Sequence, residues 1–240
     1  LNRETGEQVV FSESNDPVFP PLSINTLYKE GPDSLWIATI GSGLQLMDIP
    51  SREITLISTD SMPAGIAYNN IKSICRASNG ILWVGTNGKG LSFHHPGMDR
   101  FITYSHKKAA HYKLSFESVR CIFSDDKWLF FGGYFGMNRI NRSTGSINTF
   151  YDKIVPYCFC ELNGSDELLL IGTEGNGIKL FNKHTGPVKE LTKAETDEDG
   201  IYYIDDHDFV YSICHYYGDK YLVGCPSGAC VFDLPTATIV

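Results

Sequence analysis

The chain is 240 residues long, with 42% hydrophobic and 12% aromatic residues, enough apolar material to bury a sizeable core and too much for a disordered tail. Its 28 acidic residues outnumber 20 basic ones, and the formal charge of −8 gives no general attraction to nucleic-acid phosphates or anionic lipid. No apolar run approaches the ~18 residues that span a bilayer, so no direct membrane contact by this segment is expected.

In chain order, the opening "LNRETGEQVVFS" (1–12) is a variant of "INRSTGSINTFY" (140–151) and "FNKHTGPVKELT" (181–192). Leu1–Arg3 reads as the end of a third strand, Glu4-Thr5-Gly6 as a turn and Gln8–Phe11 as a fourth strand, making residues 1–21 the last hairpin of an upstream blade. A phrase near "LWIGT-x-G-x-G-L" then returns five times: "LWIATIGSGL" (35–44), "LWVGTNGKGL" (82–91), "LFFGGYFGM" (129–137), "LLIGTEGNGI" (169–178) and "YLVGCPSGA" (221–229). Its small residue falls at Ala38, Gly85, Gly132, Gly172 and Gly224, steps of 47, 47, 40 and 52 residues. That period suits units of four short strands.

The units divide as 22–60, 61–106, 107–152, 153–193 and 194–240. Each starts with an alternating run, as in "NNIKSIC" (69–75), "ESVRCIF" (117–123) and "FVYSIC" (209–214), followed by a turn such as "SNG" (78–80). The second strand, "ILWVG" in the second unit, is apolar throughout and is expected to be buried on both faces. A glycine pair (Gly41 and Gly43, Gly88 and Gly90, Gly175 and Gly177) reverses the chain into a third strand ("GLSFHH", "GMNRIN", "GIKLFN") and a fourth ("DRFITYS", "SINTFY", "VKELT").

A four-stranded sheet cannot bury both its faces alone, so units must stack. The expected fold is all-β, a β-propeller of four-stranded antiparallel blades, with Trp36 and Trp83 packing between blades. The seven cysteines, Cys75, Cys121, Cys158, Cys160, Cys214, Cys225 and Cys230, lack metal-site spacing and mostly sit in apolar strand runs as small hydrophobes.

The stretch from Asn69 to Leu91, "NNIKSICRASNGILWVGTNGKGL", resembles the two-component regulator propeller repeat, roughly N-x-I-x-x-I-x-x-D-x-x-G-x-L-W-I-G-T-x-x-G-L. Asn70, Ile71, Ile74, Gly80, Leu82, Trp83, Gly85, Thr86, Gly90 and Leu91 match, whereas Ala38 replaces the glycine in the first unit and Cys225 stands at the threonine position of the last. The resemblance implies a periplasmic, non-catalytic ligand-sensing domain of a hybrid two-component system, signalling to a histidine kinase outside this chain. It further implies an oligosaccharide ligand, no cofactor, other domains of the same sensor chain as partners, and a seven-bladed ring of which five blades and a hairpin are present here. Homodimerisation stays open.

Loops between strands two and three and loops between blades emerge on one propeller face, where binding residues are expected. Sugar-binding chemistry there is offered by Tyr68, Asn69, Asn87, Lys89, Tyr112, Tyr134, Phe135, Glu174, Asn176, Tyr202 and Tyr203, aromatic faces for the C–H surface and polar groups for hydroxyls. "ETDEDGIYYIDD" (195–206) imitates a calcium loop, but its first and last ligands are the wrong types and a solvated acidic loop is the preferred reading. His94 and His95 point to opposite faces of a strand, and His106 and His111 lack a third ligand, so no metal is expected. No spacing selects a carboxylate pair for glycoside cleavage, and no nucleophile or phosphate motif occurs. The alternatives to a sensor are a propeller-type polysaccharide lyase or glycoside hydrolase, and a protein-binding scaffold.

Overall fold

The apolar second strand of each repeat is the element around which a blade forms, because both of its neighbours pair with it; in the first four repeats it is largely buried on both faces, whereas in the fifth Leu222 is exposed. The computed structural model describes residues 5–6, 8, 23–61, 65–105, 114–191 and 209–239. Blade one comprises β1 (Ile24–Glu30), β2 (Ser34–Thr39), β3 (Leu44–Asp48) and β4 (Ile54–Ile57), and blade two β5 (Ile71–Arg76), β6 (Leu82–Thr86), β7 (Leu91–His94) and β8 (Ile102–Tyr104). Blade three comprises β9 (Val119–Ser124), β10 (Trp128–Gly133), β11 (Gly136–Asn141) and β12 (Ile147–Phe150), and blade four β13 (Pro156–Glu161), β14 (Leu168–Thr173), β15 (Ile178–Asn182) and β16 (Gly186–Leu191). Blade five comprises β17 (Ser212–Tyr217), β18 (Lys220–Cys225), β19 (Gly228–Asp233) and β20 (Thr238–Ile239). Every blade is an antiparallel meander, and the first strands touch in the order β1, β5, β9, β13, β17 to form the inner wall of a propeller.

The core consists of layers between blades rather than one central cluster. Trp36, Ala38 and Leu44 of blade one pack on Ile71, Leu82 and Val84 of blade two. Trp83, Leu91 and Phe93 meet Val119, Leu129 and Phe131 of blade three, whose Phe130 and Met137 meet Leu169, Ile171 and Phe181 of blade four. Leu170 and Ile178 then meet Ile213, Tyr221 and Val223. Trp36, Trp83, Phe130 and Leu170 hold one repeat position, so the inter-blade role expected of the two tryptophans is the one observed.

The small residue of the repeat marks where blades come closest. A Cβ on Gly85 would lie 2.7 Å from the carbonyl oxygen of Val119 in the next blade, and one on Gly172 would lie 2.8 Å from that of Val210. A few residues on, the glycine turn grips the next blade: the Gly41 and Gly43 N–H groups donate to the Asn69 carbonyl at 3.0 and 2.9 Å, and those of Gly88 and Gly90 to the Glu117 carbonyl at 3.2 and 2.7 Å. The turn itself is closed by the buried hydroxyls of Thr39, Thr86 and Thr173, which donate to the Gly43, Gly90 and Gly177 carbonyls at 2.6, 2.8 and 2.7 Å. Thr in the motif is therefore a turn-closing residue.

Between blades three and four, the Lys183 ammonium, 3% exposed, bridges Asp125 at 2.9 Å and Glu161 at 3.0 Å. Burial opposes ionisation of Asp125, but hydrogen bonds from the Lys183 side chain and the Trp128 and Lys127 N–H groups outweigh it and hold the carboxyl below its ordinary value. Cys75, Cys121, Cys158, Cys160 and Cys214 are free thiols. Burial pushes the Cys75 thiol up to about 11 and that of Cys158 up to about 12, and raises the fully buried Cys121 thiol well above its ordinary value.

Three outcomes are expected. Gly85→Ala costs about 1–3 kcal/mol in denaturant unfolding, because a backbone carbonyl of the next blade has to move. Gly224→Ala costs less, since the Cβ would meet only the rotatable Ser212 side chain of its own blade. Lys183→Met costs about 1.5–3 kcal/mol near neutral pH through its lost charged hydrogen bonds. Because the Asp125 carboxyl is depressed in the folded state, that increment is present above the unfolded value of about 3.9 and is lost as pH falls through the folded value, so the two proteins converge in acid. In a thiol-reagent titration, exposed Cys214 reacts in the native protein, and Cys121 and Cys158 react only on unfolding.

Candidate functional site

In blades one to four the inner strand is paired to its second strand with one residue left over near its start, whereas in β17 the skipped residue is Tyr216 near its end. In β1 the register passes from Ile24↔Thr39 to Thr26↔Ala38, skipping Asn25, and in β5 it passes from Ile71↔Thr86 to Ser73↔Gly85, skipping Lys72. In β9 and β13 the skipped residues are Arg120 and Tyr157. Tyr211 occupies the matching place just ahead of β17, where Ser212 pairs with Gly224. A bulge frees one residue from the ladder and re-aims its side chain. Asn25, Lys72, Arg120, Tyr157 and Tyr211 line one central cavity of about 540 Å³, walled further by Ser73, Ile74, Cys121, Ile122, Cys158 and Phe159.

The cause is local. The residues ahead of the inner strand are held by the preceding blade, through the Ile40↔Asn70 and Asn87↔Ser118 bridges, while the residues after it belong to the strand's own blade. Two fixed registers one residue out of step leave a bulge between them.

Arg120 organises the cavity mouth. Its guanidinium lies 4.0 Å from the Tyr134 ring centre and 4.5 Å from that of Tyr157, close enough for cation–π attraction. It donates to the Tyr134 hydroxyl, and its Nη1 is 3.3 Å from Glu174 Oε2, an ion-pair distance without hydrogen-bond alignment. Tyr157 meets Tyr211 edge to face at 5.1 Å, and Phe209 stands 6.1 Å beyond. Burial raises the Tyr157 phenol above its ordinary value, although the Arg120 charge opposes this. Burial also lowers the Lys72 ammonium, and the Arg120 charge lowers it further. Asn25 is committed to a 2.6 Å hydrogen bond from its amide to the Ile71 carbonyl.

Of the residues expected to bind, Tyr134 and Glu174 meet Arg120 at this mouth, and Phe135 stands beside Tyr134 at 6.5 Å. Phe135 is 72% exposed and holds a left-handed backbone with φ 72°, an unusual conformation for an aromatic residue. With Tyr134, Gly88 and Phe116 it borders a second depression of about 340 Å³. Asn69 and Asn87 serve as ties: Asn69 Oδ1 accepts from the Thr59 N–H at 2.8 Å, and Asn87 Oδ1 accepts from the Ser118 hydroxyl at 2.9 Å. Tyr68 is partly exposed and Lys89 exposed on neighbouring loops, and neither lines the central cavity. Asn176 is half-buried in the turn that carries Glu174.

Tyr112, Tyr202 and Tyr203, the 195–206 loop, His106 and His111 lie outside the described residues, as does most of the expected hairpin at 1–21. Among the described residues no three His, Cys, Asp or Glu side chains gather as a metal would require. Lys72, Arg120, Tyr157 and Tyr211 were not singled out from the sequence. Their signal is one non-apolar residue directly before the residue that pairs with the small marker, visible only after the repeats are aligned.

Residues 65–88 match the family model described as the two component regulator propeller. No curated protein is significantly similar to the chain in sequence. Among solved structures, the extracellular domain of the hybrid two component system BT3049 from B. thetaiotaomicron is similar with a TM-score of 0.73 at 19% identity, over 95% of this chain and 30% of that one. The extracellular domain of BT4673 from the same organism gives a TM-score of 0.69 at 22% identity, over 88% of this chain and 27% of that one. PorZ, a surface component of the type-IX secretion system of Porphyromonas gingivalis, gives 0.62 at 12% identity, over 88% and 32% of the two chains. The chain thus spans about a third of the length of these proteins, and at such identities the likeness is one of fold. It carries a two component regulator propeller repeat at residues 65–88 within a propeller of five four-stranded blades.

Proposed function

We propose that this propeller is the ligand-sensing part of a periplasmic sensor in a hybrid two-component system, binding an oligosaccharide at the mouth of its central channel without catalysis. In this reading, further domains of the same sensor chain carry the signal to a histidine kinase. The observation that carries it is the convergence on one cavity of the freed side chains of four inner strands, Asn25, Lys72, Arg120 and Tyr157, together with Tyr211 just ahead of the fifth. Tyrosine rings beside polar groups suit a pyranose, whose C–H face stacks on an aromatic ring while its hydroxyls take hydrogen bonds. The repeat at 65–88 and the extracellular domains among similar folds support the sensing role and the location outside the cytoplasm.

Arg120 beside Tyr157 also favours a second reading, a polysaccharide lyase that neutralises an acid group and abstracts a proton. The raised Tyr157 phenol is a poor base near neutral pH, and among the described residues no carboxylate lines the cavity to act as the acid/base pair of a glycosidase. Ligand shifts an equilibrium only by its differential affinity for two states, so binding has to favour one arrangement of this propeller against its neighbouring domains.

Calorimetric titration with a panel of oligosaccharides tests the reading. One binder with no new product by chromatography is expected, and Tyr157→Ala weakens it by about fivefold, in line with the ~1 kcal/mol worth of an aromatic contact. Absence of binding across the panel removes the sensor reading, and an unsaturated product absorbing in the ultraviolet establishes the lyase.

A further inference from the structure

We propose that the channel mouth recognises an anionic substituent on its ligand, a carboxylate or sulfate carried by a sugar ring and held between Lys72 and Arg120; this rests on the oligosaccharide reading above. The chain as a whole is acidic, at −8, yet among the described residues the charged ones lining the cavity are Lys72 and Arg120, both cations. They occupy the same bulge position on adjacent inner strands β5 and β9. Lys72 makes no ion pair or hydrogen bond among the described residues. Arg120 Nε is buried and has no hydrogen-bond partner, and the guanidinium's one acid neighbour, Glu174, approaches without hydrogen-bond geometry.

Two partly desolvated cations placed side by side repel each other, and the Arg120 charge weighs against the Lys72 ammonium. Glu174 offsets the Arg120 charge at one edge, but among the described residues no acid pairs with Lys72, so a negative charge between the two cations is the missing component. A low-dielectric channel of one charge sign also concentrates ligands of the opposite sign against the repulsion of the remaining surface. The guanidinium is already oriented, since Tyr134 and Tyr157 flank its plane and Glu174 holds one edge, so an anion meets a preset donor at little entropic cost. Tyr157 and Tyr211 stand beside it to take the sugar ring.

The test uses ligand pairs that differ in charge alone, titrated into the full chain by calorimetry: an oligogalacturonate against its methyl ester, and a sulfated disaccharide against its desulfated form. At least one charged member is expected to bind about tenfold or more tighter than its neutral partner, and the responding pair distinguishes carboxylate from sulfate. Lys72→Met lowers affinity for that member by about 10–100-fold, leaves the neutral partner's unchanged and flattens the decline of affinity with added salt. Arg120→Met should act likewise. Should that variant disturb the Tyr134 and Tyr157 contacts and fail to fold, Lys72→Met carries the test, because Lys72 holds nothing else in place. Equal binding of charged and neutral partners, or an unchanged affinity in Lys72→Met, overturns the anion site and leaves the oligosaccharide reading standing. Inorganic sulfate bound in a Lys72-dependent way, with no sugar bound at all, upholds the anion site and removes the oligosaccharide reading.

Discussion

Blade two meets blade three, and blade four meets blade five, at the small residue of the repeat, Gly85 or Gly172, against a backbone carbonyl, and the rest of the molecule depends on that close approach. At Gly85 and Gly172 the space of a side chain is already taken by a carbonyl of the next inner strand, and at Gly132 by Pro156 and Cys121. Two residues earlier on the same face, Trp36, Trp83, Phe130 or Leu170 fills the gap between sheets. The gap therefore tapers along the second strand, wide at the aromatic and closed at the glycine. That wedge sets how sheets with no enclosed core of their own share their apolar faces.

The approach also explains the polar part of the motif. Once the backbones are close, the turn after the second strand lies over the next blade, and its N–H groups find a carbonyl there: Asn69 for the first turn, Glu117 for the second. The buried threonine holds the turn in the shape that aims those groups. The blade ahead thus fixes the start of the inner strands β5 and β9, while the strand's own partner fixes the rest. The bulge that reconciles them places Lys72, Arg120 and Tyr157 in the channel. Stability and the candidate site share one origin, since the tie that joins two blades frees a side chain next to it.

A cavity built in this way belongs to no single blade. Arg120 shows it most directly: it leaves β9, reaches Tyr134 on the turn of its own blade, and touches Tyr157 and Glu174 of blade four. A group bound among these residues spans several blades whose contacts are already close-packed, so displacement of the propeller as one body is the low-energy response.

The repeat alone determined the architecture. The phrase around Trp83 and Gly85 is read from residues close together in the chain, and the alternation of strands and the glycine turns are local chemistry, so the strands at 71–76, 82–86 and 119–124 fall where the pattern puts them. The turn positions of Tyr134, Phe135 and Glu174 are legible for a similar reason, since the repeat itself fixes where the chain reverses. Asn69 and Asn87 show the limit of that legibility: an amide that can bind a sugar can equally tie a loop, and only the positions of Thr59 and Ser118 reveal which partner each has found. Lys72, Arg120, Tyr157 and Tyr211 were left out because a bulge carries no residue type of its own. It arises from a mismatch between two pairings, one within a blade and one between blades, and the second exists only once the blades have packed.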